Sequence, residues 1–153
     1  RRVVKTAEEV RCIEAAQRAT EEAVAAAHAT LKQATIRGGE LWLDGEVLTS
    51  ERIKKLINVK LMERDCVAQH TIVAGGEQAC DPHHEGTGPL PANRSIIFDV
   101  FPRSANSRYF ADMSRTVIRV PSATSSAASD SRPPSGVCLS ALAARFCRAC
   151  SRR

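Results

Sequence analysis

With 153 residues, 43% hydrophobic and 25% charged, the chain has room for one domain with an ordinary core. No run is long and apolar enough to cross a bilayer, which excludes a membrane span. The net charge of +5 divides unevenly: residues 1–120 hold 17 Lys and Arg against 16 Asp and Glu, while residues 121–153 hold five Arg against Asp130 alone, so the body offers no electrostatic case for nucleic acid.

Arg1-Arg2-Val3-Val4-Lys5-Thr6 has no initiator Met and no apolar signal core, and reads as a segment that begins mid-chain. Residues 6–37 read as one long amphipathic helix. Thr6 and Glu9 have capping-box spacing, and Val10, Ile13, Ala16, Thr20, Val24, Ala27, Leu31 and Ala34 recur every three or four residues. Its alanines would let that face approach a sheet closely, and Gly38-Gly39 would end it.

Leu41 to Leu43, Asp44-Gly45 and Glu46 to Leu48 have the form of a hairpin around a tight turn. A second helix is expected from Thr49 or Ser50 to about Arg64, burying Ile53, Leu56, Ile57 and Leu61. Thr71 to Ala74 reads as a short strand, and residues 75–94 as loop. Ser95 to Phe101 is a strand, and after a turn Tyr109 to Val120 reads as another. Strands joined by so short a connection are most simply antiparallel neighbours. From Pro121 the composition shifts to Ser, Ala and Pro, followed by an Arg- and Cys-laden stretch. That divides the chain into a body, 1–120, and a disordered or out-of-frame basic tail, 121–153.

The six cysteines, Cys12, Cys66, Cys80, Cys138, Cys147 and Cys150, follow no disulfide framework. They are expected to be free thiols in a reducing compartment, hence the cytoplasm. Cys147 and Cys150 have the C-x-x-C spacing of a zinc or redox pair. A tetrahedral zinc needs two further ligands and only Cys138 is near in sequence, so the spacing reads as chance.

Two residues interrupt the apolar strands. Asp99 lies within Ile96-Ile97-Phe98-Asp99-Val100-Phe101, and Asp112 within Tyr109-Phe110-Ala111-Asp112-Met113. A hairpin would set these carboxylates side by side, where they repel unless a cation lies between them. Two metals held ~3.5–4 Å apart could activate a water and polarise a carbonyl. The plainer alternative is that each aspartate is salt-bridged to an arginine such as Arg115. For an isolated pair of strand aspartates that alternative is the favoured one.

The surroundings weigh against it. Asp81-Pro82-His83-His84-Glu85-Gly86-Thr87-Gly88-Pro89-Leu90, then Ile96 to Arg103, then Ala111-Asp112-Met113-Ser114-Arg115-Thr116 occur in order. Over roughly residues 3–119 this series resembles the pita-bread metallopeptidases: aminopeptidase P, prolidase, methionine aminopeptidase and creatinase. It is most similar to aminopeptidase P-like members. The resemblance implies an α+β fold, half of a pita-bread catalytic domain, with two helices packed on an antiparallel sheet. It implies that the complete parent binds two divalent ions (manganese, cobalt or zinc) and hydrolyses N-terminal peptide bonds of a peptide substrate, ahead of proline. Asp99 would be the first metal aspartate and Asp112 the second, bridging both ions. His83 would sit beside the substrate, although His84 could take that role by one register, and Arg115 would support the carboxylates from behind. His28 and His70 have no counterpart and read as a helix-surface and a loop histidine.

The family's full site adds a histidine and two glutamates from the second half of the domain. Residues 113–153 contain no His and no Glu. Two aspartates cannot satisfy two hard cations. The chain by itself is therefore expected to be inactive, to bind metal weakly or not at all, and to expose core surface that favours self-association. A non-catalytic interaction module is the alternative. Retention of Asp99, Asp112 and His83 argues against it. Nucleic-acid binding through the tail arginines is a distant third, because only Phe146 is interleaved with them.

Overall fold

Thr6 starts the first helix in a computed structural model that describes residues 3–121. The Thr6 hydroxyl accepts from the Glu9 N–H (3.3 Å), and the Thr6 N–H donates to the Glu9 carboxylate (2.7 Å). This is the reciprocal box expected from the spacing. Helix α1 spans Ala7–Gln33, and Ala16, Ala19, Thr20, Ala23, Val24, Ala27 and Leu31 form its buried face. Thr20 stays satisfied in the core because its hydroxyl donates to the Ala16 carbonyl one turn back (2.8 Å). Val10, counted above in the apolar stripe, is 42% exposed, since the first turns overhang the core.

The helix ends earlier than its glycines suggested. Strand β1 (Thr35–Arg37) follows at once and pairs antiparallel with β2 (Glu40–Leu43), with Thr35 opposite Trp42 and Ile36 opposite Leu41. Gly38 and Gly39, at φ 57° and 83°, make the hairpin turn rather than the helix cap. Two β-branched residues, Thr35 and Ile36, favour the strand over another helical turn. Cross-strand hydrogen bonds then satisfy that backbone. The turn at Asp44-Gly45 leads to β3 (Glu46–Val47), as the sequence indicated. Helix α2 (Ser50–Met62) is capped by the Thr49 hydroxyl, which accepts from the Arg52 N–H (3.3 Å). Ile53, Ile57 and Leu61 are fully buried, while Leu56 is only half-buried.

Strand β4 (Cys66–Val67) precedes β5 (Ile72–Gly75) and a 3₁₀ turn at Gly76–Cys80. The chain then runs through β6 (Ser95–Val100), β7 (Arg103–Ser104) and β8 (Met113–Ile118). Strands β5, β6 and β8 form one antiparallel sheet with β6 in the centre, and β4 pairs with β7. The last strand is shorter than the expected span from Tyr109 to Val120: ahead of Met113 the pairing is carried only by isolated contacts, among them the Arg103–Phe110 bridge. Asp112 consequently lies just ahead of β8 rather than within it.

One face of the sheet carries Val73, Ile96, Phe98, Val100 and Met113 into a single core with Ala23, Val24, Ala27, Ile53, Ile57 and Leu61 from the helices. The alanine face of α1 lies mainly against α2, and it is α2 that meets β5. This corrects the expectation that those alanines serve close approach to a sheet. They serve close approach between helices, where a small side chain shortens the interaxial distance.

Two further features bind distant parts. The loop after the 3₁₀ turn runs along β5: the Val73 N–H donates to the Glu85 carbonyl (3.0 Å), and the Ser50 hydroxyl donates to the Val73 carbonyl. At the other end of the molecule, the Arg119 guanidinium donates to the carbonyls of Leu31 (3.2 Å) and Ala34 (3.1 Å), covering the open C-terminus of α1. Tyr109 does the corresponding work at the N-terminus, its hydroxyl donating to the Glu9 carboxylate (2.9 Å). Among the described residues no helix is long and apolar enough to cross a membrane. The basic tail and its Cys147-x-x-Cys150 pair lie outside the described residues, apart from Pro121.

Two predictions follow from local geometry. Gly86 has φ 83°, and a Cβ there would overlap the Val73 carbonyl, which is backbone and cannot yield. Gly86→Ala is expected to lower stability by about 2–5 kcal/mol in urea unfolding. The second concerns His28, whose Nε2 is buried without a partner and whose ring meets Phe98 edge-on at 5.5 Å. This corrects its expected place on the helix surface. Burial first, then Lys32 and Arg115, push its pKa below the ordinary 6.5. The unfolded chain therefore takes up the proton more readily than the folded one. Stability should be full above pH 6.5 and fall as the pH drops through that value. His28→Gln should flatten that part of the urea midpoint-versus-pH curve.

Candidate metal centre

The register between β6 and β8 decides what shares a face. Asp99 pairs with Ser114, Phe98 with Arg115 and Val100 with Met113. Side chains alternate along each strand, so Asp99 and Ser114 point away from the helices while Phe98 and Val100 point toward them. The Ser114 hydroxyl donates to Asp99 Oδ1 (2.7 Å). Asp112 lies two residues before Ser114, and the pairing continues past the strand ends, since the Ala111 N–H donates to the Pro102 carbonyl (3.0 Å). Asp112 therefore falls on the same outer face as Asp99, on the diagonal, where Cα atoms are ~7–8 Å apart.

The two charges sense each other. Partial burial, then the negative charge of Asp99, raises the Asp112 carboxyl above its ordinary value. Asp112 as a residue remains exposed, so water softens that repulsion. Neither aspartate forms an ion pair among the described residues. The salt-bridged alternative is absent there, and Arg115 could not supply it. Arg115 sits opposite Phe98 on the helix-side face, its guanidinium donating to the Ser114 carbonyl (2.8 Å) and its charge felt by His28.

The histidines stand apart from this pair. The His83 N–H donates to the Asp81 carboxylate (2.9 Å), which fixes the turn and leaves the His83 side chain exposed. His84 is half-buried and is occupied structurally, Nδ1 accepting from the Gly86 N–H (2.9 Å). Because Glu85 flanks β5 on its free edge, β5 lies between this loop and Asp99. His70 is an exposed loop residue, as expected, and its Nδ1 lies 2.6 Å from Glu85 Oε1.

Among the described residues no group of three or more His, Cys, Asp or Glu is placed to hold a metal ion. Two partly solvated carboxylates can attract one cation, but they do not make a dinuclear site, which needs several ligands per ion. What sequence reasoning missed is the neighbourhood of the pair: Phe101, Arg103 and Phe110 line a pocket along the same hairpin. The alternation Asp99, Phe101, Arg103 was the available signal.

An α+β half-layer of two helices on one face of an antiparallel sheet, with paired carboxylates on the other, is the N-terminal part of a pita-bread fold. The chain matches the model of metallopeptidase family M24 over residues 11–131 and belongs to that family. Among solved structures it is similar to a prolidase from Pyrococcus furiosus, at 21% identity and a TM-score of 0.61, covering 76% of this chain and 31% of that one. It is similar also to the dipeptidase PepE from Mycobacterium ulcerans, at 22% identity and a TM-score of 0.60, covering 76% of this chain and 28% of that one. The chain thus spans about a third of the length of these structures. No curated protein matches it.

The coupling of the two aspartates is directly testable. Asp99→Asn removes the neighbouring charge, so the Asp112 carboxyl should titrate at lower pH than in the wild type. Carboxyl-carbon NMR would show the displacement. An unchanged Asp112 titration would mean that burial alone sets its value.

Proposed function

We propose that residues 3–121 are the N-terminal half of the catalytic domain of an aminopeptidase P-like metallopeptidase, supplying the first two carboxylates of its metal centre. The observation that carries the reading is that Asp99 and Asp112 fall on one face of the hairpin, the charge of Asp99 acting on Asp112, with no cationic partner among the described residues. A divalent cation relieves that repulsion. In the complete parent, Asp112 would bridge two ions and His83, exposed at the far side of β5, would contact the peptide. Ser114 would orient Asp99 through its hydrogen bond. Cleavage of the N-terminal residue ahead of proline rests on the resemblance of the ordered motifs.

These 153 residues tested alone should not turn over substrate, since Asp99 and Asp112 leave most coordination positions to water. Ile97 and Ile118 share the aspartates' face of the sheet, and Ile118 is 56% exposed. That apolar surface supports self-association, the one partner proposed for the isolated chain besides peptide. Cys12, Cys66 and Cys80 are free thiols, which supports a cytoplasmic setting.

The test uses manganese as a paramagnetic probe. Titration of the labelled chain with Mn²⁺ should broaden the NMR signals of Asp99, Asp112 and Ser114 first, weakly and reversibly. Asp99→Asn combined with Asp112→Asn should abolish the effect. Broadening centred elsewhere would sink the metal assignment. Measurable hydrolysis of Xaa-Pro peptides by these 153 residues with added Mn²⁺ or Co²⁺ would sink the predicted inactivity.

A further inference from the structure

Three rows of paired residues succeed one another on the outer face of the β6–β8 hairpin. Asp99 faces Ser114 in the first. The Ala111-to-Pro102 hydrogen bond carries the pairing on, which sets Phe101 beside Asp112 in the second. Arg103 pairs with Phe110 in the third. Two residues of strand separate the second row from the third, a distance of about 7 Å.

At the third row lies a cavity of about 470 Å³, lined by Phe101 of the second row but by neither carboxylate. Phe101, Phe110 and Val67 give it apolar walls, and Arg103, Gln69 and His70 give it polar ones. Phe110 is 61% exposed and Val67 43%, so a large apolar surface has no cover among the described residues.

The Arg103 guanidinium lies 5.9 Å from the centre of the Phe110 ring. No Asp or Glu pairs with it among the described residues. A guanidinium held against a ring keeps its planar fork of N–H donors available. Two parallel bonds to a carboxylate are the geometry that fork matches. Apolar walls around it exclude water from such a pair and make it stronger than on an open surface.

We propose that this pocket is a carboxylate-reading subsite. It takes a carboxylate that pairs with Arg103 and an apolar group that lies on the Phe101 and Phe110 walls, one or two positions along an extended peptide from the atoms held at Asp99 and Asp112. The carboxylate is either a free C-terminus or an acidic side chain. The assignment of the ligand as a peptide rests on the metallopeptidase reading. The binding itself does not.

The test uses the metal-free, ¹⁵N-labelled full chain. N-acetyl-L-phenylalanine, its amide, and the α-amide of N-acetyl-L-glutamic acid are titrated in parallel and followed by NMR. At least one carboxylate should shift the Arg103 Nε–H and the Phe110 amide. The phenylalanine amide should bind about tenfold more weakly or worse. Shifts with the acetylated phenylalanine identify a free C-terminus, and shifts with the glutamate amide identify a side chain. Arg103→Gln should remove the preference while the Val73 and Phe98 signals keep their places, which shows the fold intact. Binding of neither carboxylate more tightly than the phenylalanine amide, or an undiminished preference in Arg103→Gln, overturns the proposal. Loss of the manganese effect at Asp99 with carboxylate binding retained would overturn the metallopeptidase reading and leave the subsite standing.

Discussion

Register between β6 and β8 is the constraint on which the remaining structure hangs. With Phe98 opposite Arg115 and Asp99 opposite Ser114, Ile96, Phe98 and Val100 of β6 enter the core while Ile97 and Asp99 leave it. A slip of one residue would exchange the faces, burying Asp99 and exposing Phe98. Both changes are heavily penalised, the first by desolvation of a charge and the second by loss of a fully buried aromatic. The two aspartates therefore reach the same face because the core leaves them no other place. Hydrophobic burial on one side of the strand sets the electrostatics on the other.

The helices were readable because their signals are local. A capping threonine, a carboxylate three residues on and an apolar stripe define α1, and Thr49 with Ile53, Ile57 and Leu61 defines α2. The boundary at Gln33 was hidden because alanine, threonine and glycine leave the local signal ambiguous. What decides it is the pairing of Thr35 with Trp42, a contact that propensity does not contain. The division of residues 101–112 was hidden for a similar reason. Val67, far earlier in the chain, pairs with Arg103 in a second small sheet, while Arg103 also bridges to Phe110.

Side-chain direction was the least accessible property. The order of motifs placed Asp99, Asp112 and Arg115 close together in sequence, and strand alternation then put Arg115 on the face that meets α1. His28 shows the converse. It reads from the sequence as a helix-surface residue, yet its ring lies against Phe98 with one nitrogen buried and unpaired. Such a group is held by packing around it, and no pattern within α1 announces it. Seven ion pairs occur among the described residues, but they lie at the surface, where each contributes little. Apolar burial carries the stability.

Both ends of α1 are fastened by residues from the far end of the described chain. Tyr109 holds the Glu9 carboxylate, and Arg119 holds the carbonyls of Leu31 and Ala34. During synthesis α1 is made before its two clasps, which are among the last described residues to be added. Both ends of the helix stay unfastened until the segment from Tyr109 to Arg119 follows, although α2 can cover its alanine face before then. Fastening of α1 is thus completed late in synthesis, and a chain halted before residue 109 would carry that helix with neither end clasped.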